Sequence, residues 1–300
     1  MLPRKDAPHL TPENLDTEIA RLCDTYPELA SRTLGKSILG RRIPLLLLGR
    51  GKRKLLYVAT HHATEWLTSR LLLCFIEELA DGHARGDRPY GLDLDFLLSR
   101  RMLCFIPMLN PDGVAIHLGK GGEDPLAERR AHMVTDGDFS HWQANARGVD
   151  LNHNYGVGFF EYKRLEKEMG ILGGGPTRYS GETPESEPET AALCGFIRTV
   201  LPAMVLSLHT QGEEIYYRGG GVELPRARRG AYRMAALSGY RVAEPTGPAV
   251  YGGLCDWTTA ALGIPSYTLE CGKGENPLPP GDAAAVYLRL RRLFFESITM

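Results

Sequence analysis

The chain has 300 residues, 43% of them apolar, enough to bury one large core and within the usual size of a single α/β domain. Thirty-five basic residues against thirty-six acidic ones leave a net charge of −1, so no global field draws in nucleic acid or an anionic membrane. The N-terminal "MLPRKDAPHLTPENL" has no apolar segment behind its basic residues, and no apolar run reaches the about 18 residues of a membrane span, so a cytoplasmic protein without membrane insertion is expected.

In chain order, "PENLDTEIARLCDTYPELA" sets Leu15, Ile19 and Leu22 at helical spacing, with Thr11 as N-cap and Pro27 as a stop. "RIPLLLLGRG" and "KRKLLYVATHH" read as two strands joined by a tight turn at "GRGK". "EWLTSRLLLCFIEELADG" predicts an amphipathic helix ending at Gly82, and the strand "RMLCFIPMLN" runs into Asn-Pro-Asp-Gly, which reads as a tight turn. From Gly113 to Asp150 the chain is polar and rich in glycine, as functional loops are. Then come the helix "SEPETAALCGFIRTV", the strand "AMVLSLHT", the helix "RARRGAYRMAALSGY", the strand "IPSYTLECG" and the terminal helix "GDAAAVYLRLRRLFFESI". Strands alternating with helices predict a single α/β domain over residues 1–300 whose sheet is buried on both faces, and the first hairpin makes that sheet mixed. Six cysteines (Cys23, Cys74, Cys104, Cys194, Cys255, Cys271) show no C-x-x-C pair and read as reduced, mostly buried thiols.

Three strands end in coordinating or titratable groups: "VATHHATE", "SLHTQGEE" and "TLECGKG". In open α/β sheets ligands sit at the carboxyl ends of the strands, so these ends are expected to converge. Catalytic zinc takes three ligands from His, Asp or Glu and keeps an open position for water. His62 and Glu65, spaced i and i+3 at a helix start, can point the same way, and His209 is the best third donor. His61 faces the other way and is the weaker alternative.

The ordered motifs "HATEW", "NPDG", "GVDLNHN", "SLHTQGEEIYY", "YGGLCDW" and "TLECGKGENPLP" resemble the zinc carboxypeptidase family along almost the full chain, as far as Pro279. The resemblance implies a mixed, mostly parallel sheet of about eight strands flanked by helices, one Zn2+ per chain held by His62, Glu65 and His209, and Glu270 as general base. It also implies no activation prosegment, since the catalytic domain begins within the first dozen residues.

Departures from the family pattern bear on substrate. The family clamps a substrate carboxylate with an Asn-Arg pair, and here Asn152 is followed by His153, which titrates near neutrality and offers one donor at a time. An arginine that usually faces the oxyanion is replaced, leaving Gln143, Arg147 or the metal alone as alternatives. The family's mobile tyrosine falls near Pro248, with Tyr251 at a different offset. "NARGVDLNHNY", "GPTRYSGETPESEPET" and "SLHTQGEEIYY" are most similar to the bacterial branch that hydrolyses the γ-D-glutamyl-meso-diaminopimelate bond of peptidoglycan stem peptides. A muropeptide substrate is therefore expected, with Asp256, Glu213, Arg218 and Arg178 as candidates for its charged groups. An enzyme releasing ordinary C-terminal residues is the alternative, and a binding module without turnover is a third reading.

Overall fold

The computed structural model describes residues 9–119 and 134–300. Eight strands form one sheet: β1 (Ala30–Lys36), β2 (Arg42–Leu48), β3 (Arg53–Ala59), β4 (Arg101–Ile106), β5 (Met204–His209), β6 (Glu214–Tyr216), β7 (Arg241–Val242) and β8 (Ser266–Glu270). Their spatial order is β1-β2-β4-β3-β5-β8-β6-β7. The central four, β4, β3, β5 and β8, run parallel, while β1, β2 and β6 join through antiparallel pairs. The mixed, mostly parallel α/β sheet expected from the sequence is present.

The helices are α1 (Pro12–Thr25), α2 (Leu67–Arg85), α3 (Leu94–Arg100), α4 (Pro111–His117), α5 (Phe159–Glu168), α6 (Pro188–Val200), α7 (Pro225–Ser238), α8 (Leu254–Leu262) and α9 (Ala283–Ser297). Alternation along β3 divides the core. Leu55, Tyr57 and Ala59 pack with Phe75 of α2 and Phe294 of α9 on one face, and Leu56 and Val58 pack with Leu193 and Ile197 of α6 and Trp257 of α8 on the other. Phe75 stacks on Phe294 at 5.2 Å, and truncating such a fully buried ring to alanine costs about 3–5 kcal/mol. Thr11 caps α1 by accepting from the Asn14 N–H at 3.2 Å, with Pro12 at the first helical position, and Gly86 (φ +71°) closes α2 three residues beyond the expected end.

The expected hairpin of β2 and β3 is not formed, because β4 lies between them and the true first hairpin is β1 with β2. The "GRGK" segment reverses the chain across the start of β4 instead of closing a hairpin. Arg50 N–H donates to Leu98 O (2.9 Å) and Gly51 N–H to Arg101 O (3.1 Å), and a Cβ at Gly51 would fall 1.8 Å from the Arg100 carbonyl carbon. Asn-Pro-Asp-Gly is likewise a helix start and no tight turn: the Asn110 side chain accepts from the Gly113 N–H at 3.0 Å, and α4 begins at Pro111. The long loop expected from Gly113 to Asp150 opens as α4, and its residues 120–133 lie outside the described residues.

Parallel β3, β5 and β8 bring three chemistry-bearing strand ends side by side. Ala59 pairs with Leu208, and His209 pairs with Glu270.

Candidate metal centre

The turn after β3 sets the first donors. Thr60 sits at φ +57°, a strained position for a β-branched residue, and is held there by Thr68 and Ser69 hydroxyls at 2.9 and 2.6 Å. This reversal sends consecutive histidines apart. His61 is fully buried, with Nε2 2.9 Å from the Tyr155 hydroxyl, while His62 turns toward a short 3-10 turn, Ala63–Glu65, that delivers Glu65. Gln143 fixes that turn through its backbone, accepting from the Ala63 N–H at 2.9 Å.

His62, Glu65 and His209 form the metal-type cluster among the described residues, with one donor atom from each lying within 4.8 Å of the others. His62 Nδ1 is 2.9 Å from Glu65 Oε1, and His209 Nδ1 is 3.0 Å from Glu65 Oε2. Asp150 Oδ1 takes the other His62 nitrogen at 3.1 Å, which assigns the proton to Nε2 and leaves Nδ1 for a cation. Glu65 Oε2 and His209 Nε2 are buried without a hydrogen bond of their own. Buried imidazole and carboxylate groups converging this closely, with two polar atoms left without a hydrogen bond, fit a His/Glu zinc site with an open position.

Electrostatics agree with a cation-accepting site. Burial pushes the Glu65 carboxyl up, but the His62 and His209 rings outweigh it and hold the group well below the usual carboxylate range. Asp150 is likewise held low, by His62 and the Arg178 N–H, against the cost of burial. Glu270 goes the other way: burial, then the Glu65 charge, raises it well above an ordinary carboxylate. A carboxylate with raised proton affinity beside a metal-type cluster is suited to take a proton from water.

These groups share a cleft of about 140 Å³ whose lining includes His62, Glu65, His209, Glu270, Asn152 and His153, together with Asp256 and Arg218. Asp256 accepts from the Gly220 and Gly253 N–H groups at 2.8 and 2.9 Å, so it ties two loops together, and burial raises it to about 6. Arg218 is paired with Glu223 at 2.9 Å and with Glu244. The Gln143 side chain accepts from Thr177 at 3.0 Å and Arg147 lies 3.7 Å from Glu187, so neither side chain lines the cleft. Tyr251 contributes its carbonyl, which takes His153 Nδ1 at 2.8 Å. Glu213 is held by Arg289 and Lys273, and Arg178 reaches the site through its backbone N–H on Asp150 Oδ2 at 3.2 Å.

Two supporting residues went unassigned in the sequence reading. Asp150 stands inside the "GVDLNHN" motif, whose position beside Asn152 was the available signal. Asn276, in "GENPLP", donates to Thr210 O at 2.8 Å and reaches Glu65 Oε1 at 3.4 Å, so it links the segment after Glu270 to a donor on another element.

Comparison with known proteins agrees with this geometry. The model of the zinc carboxypeptidase family matches residues 15–287. The chain is 30% identical over 283 residues to gamma-D-glutamyl-L-diamino acid endopeptidase 1 of Lysinibacillus sphaericus, covering 94% of this chain and 70% of that protein. It is 31% identical to the uncharacterized protein YqgT of Bacillus subtilis, covering 94% and 76%. Bovine thrombin-activatable fibrinolysis inhibitor, solved in complex with tick carboxypeptidase inhibitor, superposes with a TM-score of 0.73 at 18% identity over 97% of this chain and 98% of that one.

Proposed function

The chain belongs to the zinc carboxypeptidase family, and we propose that it hydrolyses the amide between γ-D-glutamate and a diamino acid, such as meso-diaminopimelate, in peptidoglycan stem peptides. The observation that carries the catalytic half is the convergence of His62, Glu65 and His209 in the cleft that also contains Glu270. The substrate half is supported by similarity along 94% of the chain to a relative whose name gives that bond.

In this reading His62, Glu65 and His209 hold the zinc ion, which when bound supplies a Lewis acid and eases deprotonation of water at neutral pH. Asp150 keeps His62 in the tautomer whose Nδ1 is free. Glu270 takes the proton of the attacking water on its carboxylate and hands it to the leaving amine, so one group acts first as base and then as acid. Asn152, His153 and Asp256 line the substrate side of the cleft, Gln143 and Tyr251 act on it through their backbones, and Arg147, turned to Glu187, takes no direct part. We further propose a reducing, cytoplasmic setting, supported by six cysteines that are all unpaired.

The test is a mass-spectrometric digest of L-Ala-γ-D-Glu-meso-diaminopimelate, and of the same peptide extended by D-Ala, with zinc-loaded wild type beside Glu270→Gln. Release of L-Ala-D-Glu by the wild type alone is expected. Cleavage confined to ordinary α-linked C-terminal peptides would replace the substrate half with a general carboxypeptidase.

A further inference from the structure

Asn152 and His153 are fixed relative to the metal donors by one carboxylate. Asp150 Oδ1 accepts from both His62 Nε2 (3.1 Å) and the Asn152 backbone N–H (3.2 Å), so whatever these two residues read lies next to the scissile bond. Their chemical faces follow from their backbone partners. The Leu254 N–H can only donate, and it meets Asn152 Oδ1 at 3.2 Å, which leaves the Asn152 NH2 as a donor for the cleft. The Tyr251 carbonyl can only accept, and it meets His153 Nδ1 at 2.8 Å, so the His153 proton is on Nδ1 and Nε2 carries a lone pair.

The segment that sets both faces needs glycine at its centre. Gly252 adopts φ +79°, and a Cβ there would fall 2.9 Å from the His153 carbonyl oxygen, so only glycine lets the Tyr251 carbonyl sit over the imidazole edge. The His153 ring stacks on Tyr162 at 3.8 Å with an interplanar angle of 12°. Burial lowers the His153 pKa despite the Asp150 charge, which keeps the ring neutral. Arg218, the guanidinium lining the cleft, is already held by Glu223 and Glu244.

We propose that Asn152 and His153 form a subsite that reads a neutral amide beside the scissile bond, so that the preferred substrate has its diamino-acid carboxyl amide-linked to a further residue. A donor next to an acceptor is the complement of a peptide group, whose C=O accepts from Asn152 while its N–H donates to His153. A free carboxylate offers acceptors only and leaves one of them against the Nε2 lone pair, a mismatch that buried polar sites reject strongly. The inference rests on the reading of this cleft as the peptidase site, and it makes the enzyme one that cuts within stem peptides more readily than at their carboxyl-terminal diamino acid.

The experiment compares kcat/KM for L-Ala-γ-D-Glu-meso-diaminopimelate with that for its amide at the carboxyl next to the scissile nitrogen. In parallel, calorimetry compares binding of diaminopimelate with binding of the corresponding monoamide. The wild type is expected to favour the amide at least about tenfold in both. His153→Arg, which presents donors only, should move both ratios toward the free acid, and His153→Gln, which keeps an acceptor, should retain the amide preference. Circular dichroism establishes that each variant is folded, and the wild-type ratios decide the matter should the arginine variant not fold. Equal or better use of the free acid by the wild type overturns the subsite while leaving the peptidase reading intact. Failure to cut either peptide, with the monoamide still bound preferentially, would instead sink the peptidase reading and leave the subsite standing.

Discussion

Replacing Glu189 by glutamine tests how the loop that carries Asp150 is supported. Glu189 is fully buried near the start of α6, accepting from the Ile38 N–H at 3.2 Å and from Asn145 Nδ2 at 3.4 Å. Asn145 in turn accepts from the Arg147 and Val149 N–H groups at 2.9 and 3.0 Å, immediately before Asp150. Burial, with the Asp112 and Glu187 charges adding to it, raises the Glu189 carboxyl from 4.5 to about 7. The folded chain thus holds this proton more tightly than the unfolded one, so the contribution is complete below 4.5 and is lost as pH rises through about 7. At about 1.4 kcal/mol per pH unit, the interval is worth about 3 kcal/mol. Urea unfolding of zinc-loaded wild type and Glu189→Gln between pH 4.5 and 8 should show the variant gaining about 3 kcal/mol relative to the wild type across that range. Asp256, also raised by burial, titrates in both proteins and cancels from the difference. A gap that stays constant within about 0.5 kcal/mol would refute the reasoning.

Glu270→Gln should lower kcat by about 10²- to 10⁴-fold with zinc content unchanged, measured by single-turnover kinetics beside metal analysis. Asp150→Asn removes the charge and leaves a single acceptor oxygen for the His62 Nε2 and Arg178 N–H groups that two oxygens now serve, and a competing-chelator titration should find zinc affinity weakened about 10- to 100-fold. Stripping the metal should abolish turnover and lower the melting temperature, since a ligand at about 1,000 times its Kd contributes about 4 kcal/mol, and added zinc should restore both.

Central strands were legible in the sequence because β3 and β5 are largely apolar runs and, like the buried β8, they stop at polar groups, a pattern that buried parallel sheets impose. β1 escaped notice because "ASRTLGK" lies at a sheet edge, half exposed, with Leu34 as its one large apolar residue. The "GRGK" signal marked a reversal correctly but could not say that β4, arriving from residue 101, would pair between the two strands it joins. The candidate donors were readable at the ends of β3 and β5, where spacing left His61 as an alternative and the family resemblance selected His62, Glu65 and His209. Their supports were not, because they depend on residues far apart in the chain: Asp150 stands 88 positions from His62, and the Tyr251 carbonyl that fixes the His153 tautomer stands 98 positions from that ring. Side chains such as Arg147 and Gln143 could be placed near the motif by sequence, but only the fold shows them turned to Glu187 and Thr177.

The most direct measurement is an anomalous-difference map from crystals of the full chain grown with zinc. One strong peak at about 2.0–2.2 Å from donor atoms of His62, Glu65 and His209 is expected, with Glu270 facing it across the cleft. A map with no peak there, or with zinc held by other residues, would contradict the account at its centre.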